Sequence, residues 1–156
     1  MTFICSVATF FLSLAVVIIA WLQCRVAKDK LRLALFDRRY KVYDATRKFL
    51  SVIIREATFT VPDLFEFNAG TSDAQFLFKP DVAKYLAEIR ERALHLQTTH
   101  QLLERPPANG DELPRLAYAQ GDDLKWLGDQ ITAMTKTFVP YLGFANVRLR
   151  VLPFVK

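Results

Sequence analysis

Residues 3–22, FICSVATFFLSLAVVIIAWL, decide the reading of this chain. Twenty residues at a rise of about 1.5 Å make a helix about 30 Å long, the thickness of a bilayer's hydrocarbon layer. None of them is ionisable except the thiol of Cys5, and twelve are Leu, Ile, Val or Phe. At about −0.3 to −0.6 kcal/mol for each such residue, insertion is favoured by about 4–7 kcal/mol. Thr9 and Ser13 detract little, because a helical hydroxyl can bond a preceding carbonyl. Trp21 stands where an interfacial aromatic belongs. A cleavable leader would carry a basic residue ahead of the apolar run and a small-x-small exit after it. Neither is present, so a retained transmembrane anchor over residues 1–23 is the expectation. A buried helix of a water-soluble protein is the alternative.

The residues behind the anchor set its direction. Arg25, Lys28, Lys30, Arg32, Arg38, Arg39 and Lys41 follow within about twenty positions, offset by Asp29 and Asp37. Positive flanks stay in the cytoplasm. The expectation is a single-pass protein with the amino-terminal flank outside and residues from about 24 onward inside. Trp21, Arg25, Lys28, Lys30 and Arg32 would then meet the membrane interface. The formal net charge of +5 is concentrated next to the bilayer. Anionic headgroups are worth about 1 kcal/mol per nearby basic residue, so a lipid partner accounts for the charge and no nucleic acid is expected. The two cysteines, Cys5 and Cys24, would lie about 28 Å apart on one helix, beyond disulfide reach. Cys24 reads as an inert interfacial thiol, with acylation the alternative.

Nothing stops the helix at the bilayer. No Gly or Pro occurs from Gln23 to Thr60, and apolar residues recur at Leu33, Phe36, Tyr40, Tyr43, Leu50, Ile54 and Ala57. Leu35, Val42, Phe49 and Ile53 widen that stripe, which has the spacing of an amphipathic helix. Asp37–Lys41 and Asp44–Lys48 are acid-first (i, i+4) pairs. One helix of fifty-odd residues is the simplest reading, with a break near residues 23–28 the alternative. The run Phe36-Asp37-Arg38-Arg39-Tyr40-Lys41-Val42-Tyr43, followed by Ala74-Gln75-Phe76-Leu77-Phe78, resembles a signature of small uncharacterised bacterial single-pass inner-membrane proteins. The likeness covers most of the chain. It implies a bacterial inner membrane and carries no assigned activity or site residues.

Residues 61–79 read as a connector: Pro62 is expected to end the first helix, residues 68–72 to turn, and Ser72 to cap a short helix reaching Phe78. Phe59, Phe65, Phe67, Phe76 and Phe78 are expected to cover one end of the core. Pro80 opens the next helix, whose seam is Val82, Leu86, Ile89, Ala93, Leu96, His100 and Leu103. Residues 105–110, RPPANG, break it. A further helix starts around residues 111–114 with the seam Leu113, Leu116, Gln120, Leu124, Leu127, Ile131, Met134 and Phe138. Gly121 and Gly128 in it suggest close helix contact, and Pro140 is expected to end it. The fold class is therefore all-α: a transmembrane helix continuing into an antiparallel three-helix bundle. The bundle would span residues 24–144, with a basic, apolar tail at 145–156. In the tail Val147, Leu149 and Val151 alternate with Arg148 and Arg150. Packing on the bundle is the first reading for it and lipid contact the second.

The chain shows no Gly-rich phosphate loop, no His-Glu-x-x-His, no zinc-spaced cysteines and no nucleophile elbow. No catalytic residue, metal or cofactor is therefore assigned. His95 and His100 point about 140° apart on one helix and cannot share a metal. Asp122-Asp123 reads as a solvated helix turn, and Glu88, Glu91, Glu104 and His95 as a chance set that could form a carboxylate site. Arg38, Arg39, Tyr40, Tyr43, His100 and Trp126 are the candidates for partner contact. The favoured function is a membrane-anchored, cytosol-facing interaction or scaffold module that binds a protein or a second copy. The alternative is a small membrane-bound enzyme or toxin-like effector with a His/carboxylate site between helices.

Overall fold

A computed structural model describes residues 2–105 and 112–143, with side chains at Leu14 and from Val16 onward. Among these residues every regular element is helical. The helices are α1 (Thr2–Glu56), α2 (Val61–Thr71), α3 (Ala74–Leu77), α4 (Pro80–Glu104) and α5 (Leu113–Leu142). The expected breaker at 106–110 and the tail at 145–156 lie outside the described residues. The chain divides into two compact units, residues 1–37 and 38–156.

In the second unit one core is built from α1, α2, α3, α4 and α5. α1 contributes Val42, Phe49, Leu50 and Ile53, a 3–4 alternation once buried Thr46 is included. Thr46 is tolerated there because its hydroxyl donates to Val42 O at 2.8 Å. The buried stripe is therefore rotated from the expected one, and Leu33, Tyr40 and Ile54 are exposed. Asp44–Lys48 forms as expected, at 2.8 Å.

α1 stops at Glu56 without help from Pro62. Ala57 takes a left-handed conformation, φ 54°, which costs a residue with a Cβ about 1–2 kcal/mol. The turn returns Phe59 to the core, where it meets Phe49 edge-on at 5.2 Å while Phe67 stacks on the same ring at 4.6 Å. Burying one such ring is worth about 1.5–3 kcal/mol, enough to hold the strained stop. Pro62 instead lies in the first turn of α2, behind a capping box: Thr60 Oγ1 accepts from Asp63 N, and Asp63 Oδ2 accepts from Thr60 N at 2.8 Å.

Residues 68–71, expected as a turn, are the last turn of α2. A Cβ on Gly70 would stand 2.5 Å from Ala45 Cβ, so a glycine lets α2 lie against α1. Ser72 donates back to Ala69 O at 3.0 Å and caps no helix start; α3 begins after Asp73. Of the five connector phenylalanines, Phe59, Phe67 and Phe78 are buried, while Phe65 and Phe76 stay 73% and 80% exposed. They occupy the solvent sides of α2 and α3, opposite the buried Phe67 and Ala74.

α4 begins at Pro80 and ends at Glu104, as the pattern predicts, with Val82, Leu86, Ile89, Ala93 and Leu96 buried. Thr99 rather than His100 takes the next buried position. In α5 the buried residues are Asp123, Leu127, Gln130, Met134 and Phe138. Leu124 and Ile131, expected on the seam, are only half-buried. Tyr141 Oη donates to Asp81 Oδ1 at 3.1 Å, and Gln120 bonds His100 at 3.1 Å. These bonds set the end of α5 beside the start of α4 and the start of α5 beside the end of α4. Pro140 lies inside α5, which continues to Leu142 and closes with Gly143 N donating to Val139 O at 2.8 Å. Neither Gly121 nor Gly128 marks a close approach, since a Cβ at either would meet nothing within 4 Å.

Candidate functional site

Three groups of side chains stand out. The first is the described part of α1 in residues 1–37. Val16, Val17, Ile18 and Ile19 are 59%, 65%, 51% and 53% exposed. Successive helical residues step by 100°, so these four cover the full circumference with uncovered apolar surface. Trp21 follows, exposed, with the Arg25 guanidinium 5.7 Å from its ring centroid. Lys28, Lys30, Arg32 and Cys24 are exposed. Among the residues whose side chains are described, no helix is long and apolar enough to cross a membrane. Most of the expected span, residues 3–13 and 15, lies outside that set.

The second group surrounds Arg39. Its Nε donates to Leu77 O at 3.1 Å and its Nη1 to Tyr141 O at 3.4 Å. Both carbonyls belong to the final turns of their helices, where the backbone leaves acceptors unpaired and the dipole favours a cation. The guanidinium also lies 5.9 Å from the rings of Phe78 and Tyr141. Of the sequence candidates here, Arg39 is engaged inside the fold, and Tyr43 packs edge-on to Phe138 at 5.6 Å. Tyr40 neighbours Tyr43 at 5.9 Å but is exposed, as is Arg38. Partial burial, then the hydrogen bond to the Asp81 carboxylate, raises the Tyr141 phenol above its ordinary pKa.

The third group lies between α4 and α5. Asp123 is 1% exposed, contrary to the solvated turn expected of Asp122-Asp123; only Asp122 is exposed. Arg92 Nη1 donates to Asp123 Oδ1 at 2.9 Å, and His95 Nδ1 bonds Asp123 Oδ2. Both partners keep about half of their side chains in water. The Arg92 guanidinium stands 5.4 Å from the Trp126 ring, which accounts for that half-buried candidate. His95 therefore pairs across helices with Asp123 and does not join Glu88, Glu91 and Glu104. One turn along, the Gln120 amide bonds His100 Nδ1 at 3.1 Å and His100 Nε2 faces Glu104 Oε1 at 3.4 Å, so His100 is a hydrogen-bonded interface histidine. Among the described residues no three His, Cys, Asp or Glu gather for a metal ion.

Sequence reasoning missed Asp123 because hydropathy moved the seam onto Leu124. The strict 3–4 alternation from Leu116 through Gln120 reaches Asp123 and then Leu127, and that signal was present. It also missed a cleft of about 300 Å³ between α1 and α2, lined by Lys41, Asp44, Lys48, Asp63 and Glu66 over Phe49 and Phe67. The Lys48 ammonium bonded to Asp44 holds that carboxyl below its usual range, and the Thr60 bonds do the same for Asp63.

No family model matches the chain, and no curated protein or solved structure is significantly similar to it.

Proposed function

We propose that the chain is a membrane-anchored helical interaction module facing the cytosol. Residues 3–22 cross a bacterial inner membrane, with the preceding residues outside and those from about 24 onward in the cytoplasm. There the second half of α1, with α4 and α5, forms an antiparallel three-helix bundle. The observation that carries the anchor is the apolar exposure of Val16, Val17, Ile18 and Ile19. A helix that is apolar on every side has no face to turn to water and belongs in lipid or in a large core. The cationic run Arg25, Lys28, Lys30 and Arg32 beside it supports anionic headgroups as a partner and sets the direction of insertion. The bacterial setting draws on the resemblance of residues 36–43 and 74–78.

Tethering raises the effective concentration of the bundle for anything else held at that surface. The exposed aromatics Phe65, Phe76 and Tyr118 are the residue types that anchor protein contacts. Crosslinking in native membranes, followed by purification in mild detergent, tests this reading. A protein partner or a second copy is expected in the crosslinked product; recovery of the uncrosslinked monomer alone overturns it.

A second reading has one observation behind it. His95 held through Nδ1 by a buried carboxylate has the orientation of a general base, with Nε2 remaining for a substrate. This supports a small membrane-bound enzyme or toxin-like effector with a His/carboxylate site. The reading predicts a ligand-dependent rise in melting temperature that His95→Gln removes. No rise across metals and nucleotides sets it aside.

A further inference from the structure

His95 and His100 lie on the same helix, α4, and their rings are bonded in opposite senses. An ionised carboxylate only accepts hydrogen bonds. Asp123 is buried and accepts from Arg92 Nη1 at 2.9 Å, so the bond between its Oδ2 and His95 Nδ1 places the ring proton on Nδ1. In the neutral imidazole the lone pair then sits on Nε2. Among the described residues nothing bonds that nitrogen, and 57% of the side chain is in water. His100 is the reverse. The Gln120 amide donates to its Nδ1 at 3.1 Å, and its Nε2 faces the Glu104 carboxylate at 3.4 Å. Its lone pair is engaged and its proton points to an acid.

Arg92 stands three residues before His95, on the same side of α4. One of its nitrogens holds Asp123, its guanidinium is braced 5.4 Å from the Trp126 ring, and 45% of its side chain is exposed. A guanidinium carries several N–H donors, so donors remain beside the imidazole, in a geometry that suits phosphate oxygens. A nitrogen nucleophile with a fixed tautomer, open to water and next to a cation, has what a phosphoryl acceptor needs. We propose that His95 Nε2 accepts a phosphoryl group from a donor whose phosphorus bears a leaving group. The Nε2 lone pair attacks phosphorus and an N–P bond forms. The bond from phosphorus to the leaving group breaks, and the leaving group departs with that electron pair and is protonated by water. The ring becomes positive, keeps its proton on Nδ1, and rests against the Asp123 carboxylate. The proposal rests on the same His95–Asp123 pair as the second reading above, but makes the imidazole the receiving group instead of a base acting on a substrate.

The test treats the full chain in detergent micelles with phosphoramidate, a small donor of this kind. Phosphorus NMR and peptide mass spectrometry report which histidine, and which ring nitrogen, is labelled. In the parent, His95 is expected to label on Nε2 about tenfold or more faster than His100, because its tautomer is fixed. In Asp123→Asn, Arg92 claims the amide oxygen, the amide N–H donates to His95 Nδ1, and the ring proton moves to Nε2; the preference for His95 should vanish. Asp123→Leu removes the carboxylate without adding a donor, and label is expected on both nitrogens of His95. Equal labelling of the two histidines in the parent, attachment at Nδ1 of His95, or an unchanged preference in both variants overturns the proposal. If His95 stays unlabelled while a ligand still raises the melting temperature of the parent and not of His95→Gln, the general-base reading stands and this proposal falls. If nitrogen NMR finds the His95 proton on Nε2, both fall.

Discussion

Asp123 is held by two side chains that remain half in water, and this asymmetry decides what each substitution costs. Replacing Asp123 with Leu leaves Arg92 and His95 free to turn to solvent, and an apolar side chain fills the seam. The expected change is within about 1 kcal/mol of the parent. Replacing both Arg92 and His95 with Ala strands a charge that is 1% exposed, and the expected loss is about 3–5 kcal/mol. Denaturant titration of the three proteins in one detergent checks the order; equal losses would mean that Asp123 is solvated after all. Tyr85 provides a pH-dependent signal. Burial, and then the Glu88 charge, push its phenol from 10.0 to about 12, while its hydroxyl donates to Gln130 O at 3.3 Å. The folded state keeps a proton that the unfolded chain releases, so this contribution is complete below pH 10.0 and is lost as pH rises towards about 12. Melting temperatures measured across that window should fall more steeply for the parent than for Tyr85→Phe. Parallel curves would contradict the assignment.

At the scale of elements, the glycines and the stop of α1 separate sequence expectation from structure. Gly121 and Gly128 read as contact points, yet each faces open space, and Gly70, which read as a turn residue, makes the close approach to Ala45. Gly121→Ala and Gly128→Ala should each stabilise by about 0.5–1 kcal/mol, whereas Gly70→Ala should destabilise because α2 must move off α1. Ala57→Gly should stabilise by up to about 1 kcal/mol, since glycine takes φ 54° without a Cβ clash. Thermal melts check all four, and the sign is the readout in each. α4 and α5 were legible because a 3–4 rhythm with proline in the first turn is a strong local signal; α4 was bounded correctly on that basis. α2 was not, because Asn68 to Ser72 carry turn-forming side chains, while the Thr60 and Asp63 capping box that starts the helix is a weaker mark. Asp123 and Gln130 were displaced from the seam for a related reason. Hydropathy assigns a face to the apolar neighbour: the Asp123 carboxylate is buried with partners from another helix, Arg92 and His95, some thirty residues away, whereas the Gln130 amide is satisfied by Trp126 O one turn back in its own helix.

For the molecule as a whole, the helical class and the pairing of α4 with α5 follow from local pattern. The exposure of Phe65 and Phe76 depends on which side of α2 and α3 the rest of the fold covers, which no local pattern contains. The central claim is that the apolar segment ahead of the cationic run is embedded in lipid. The most direct measurement is alkaline carbonate extraction of membranes from cells expressing the full chain, because high pH strips proteins held by charge or by partners and leaves those threaded through the bilayer. The account predicts that the protein stays in the membrane pellet, and that placing Asp at Val16 and Ile19 moves it to the supernatant. Release of the unmodified chain by carbonate would contradict it.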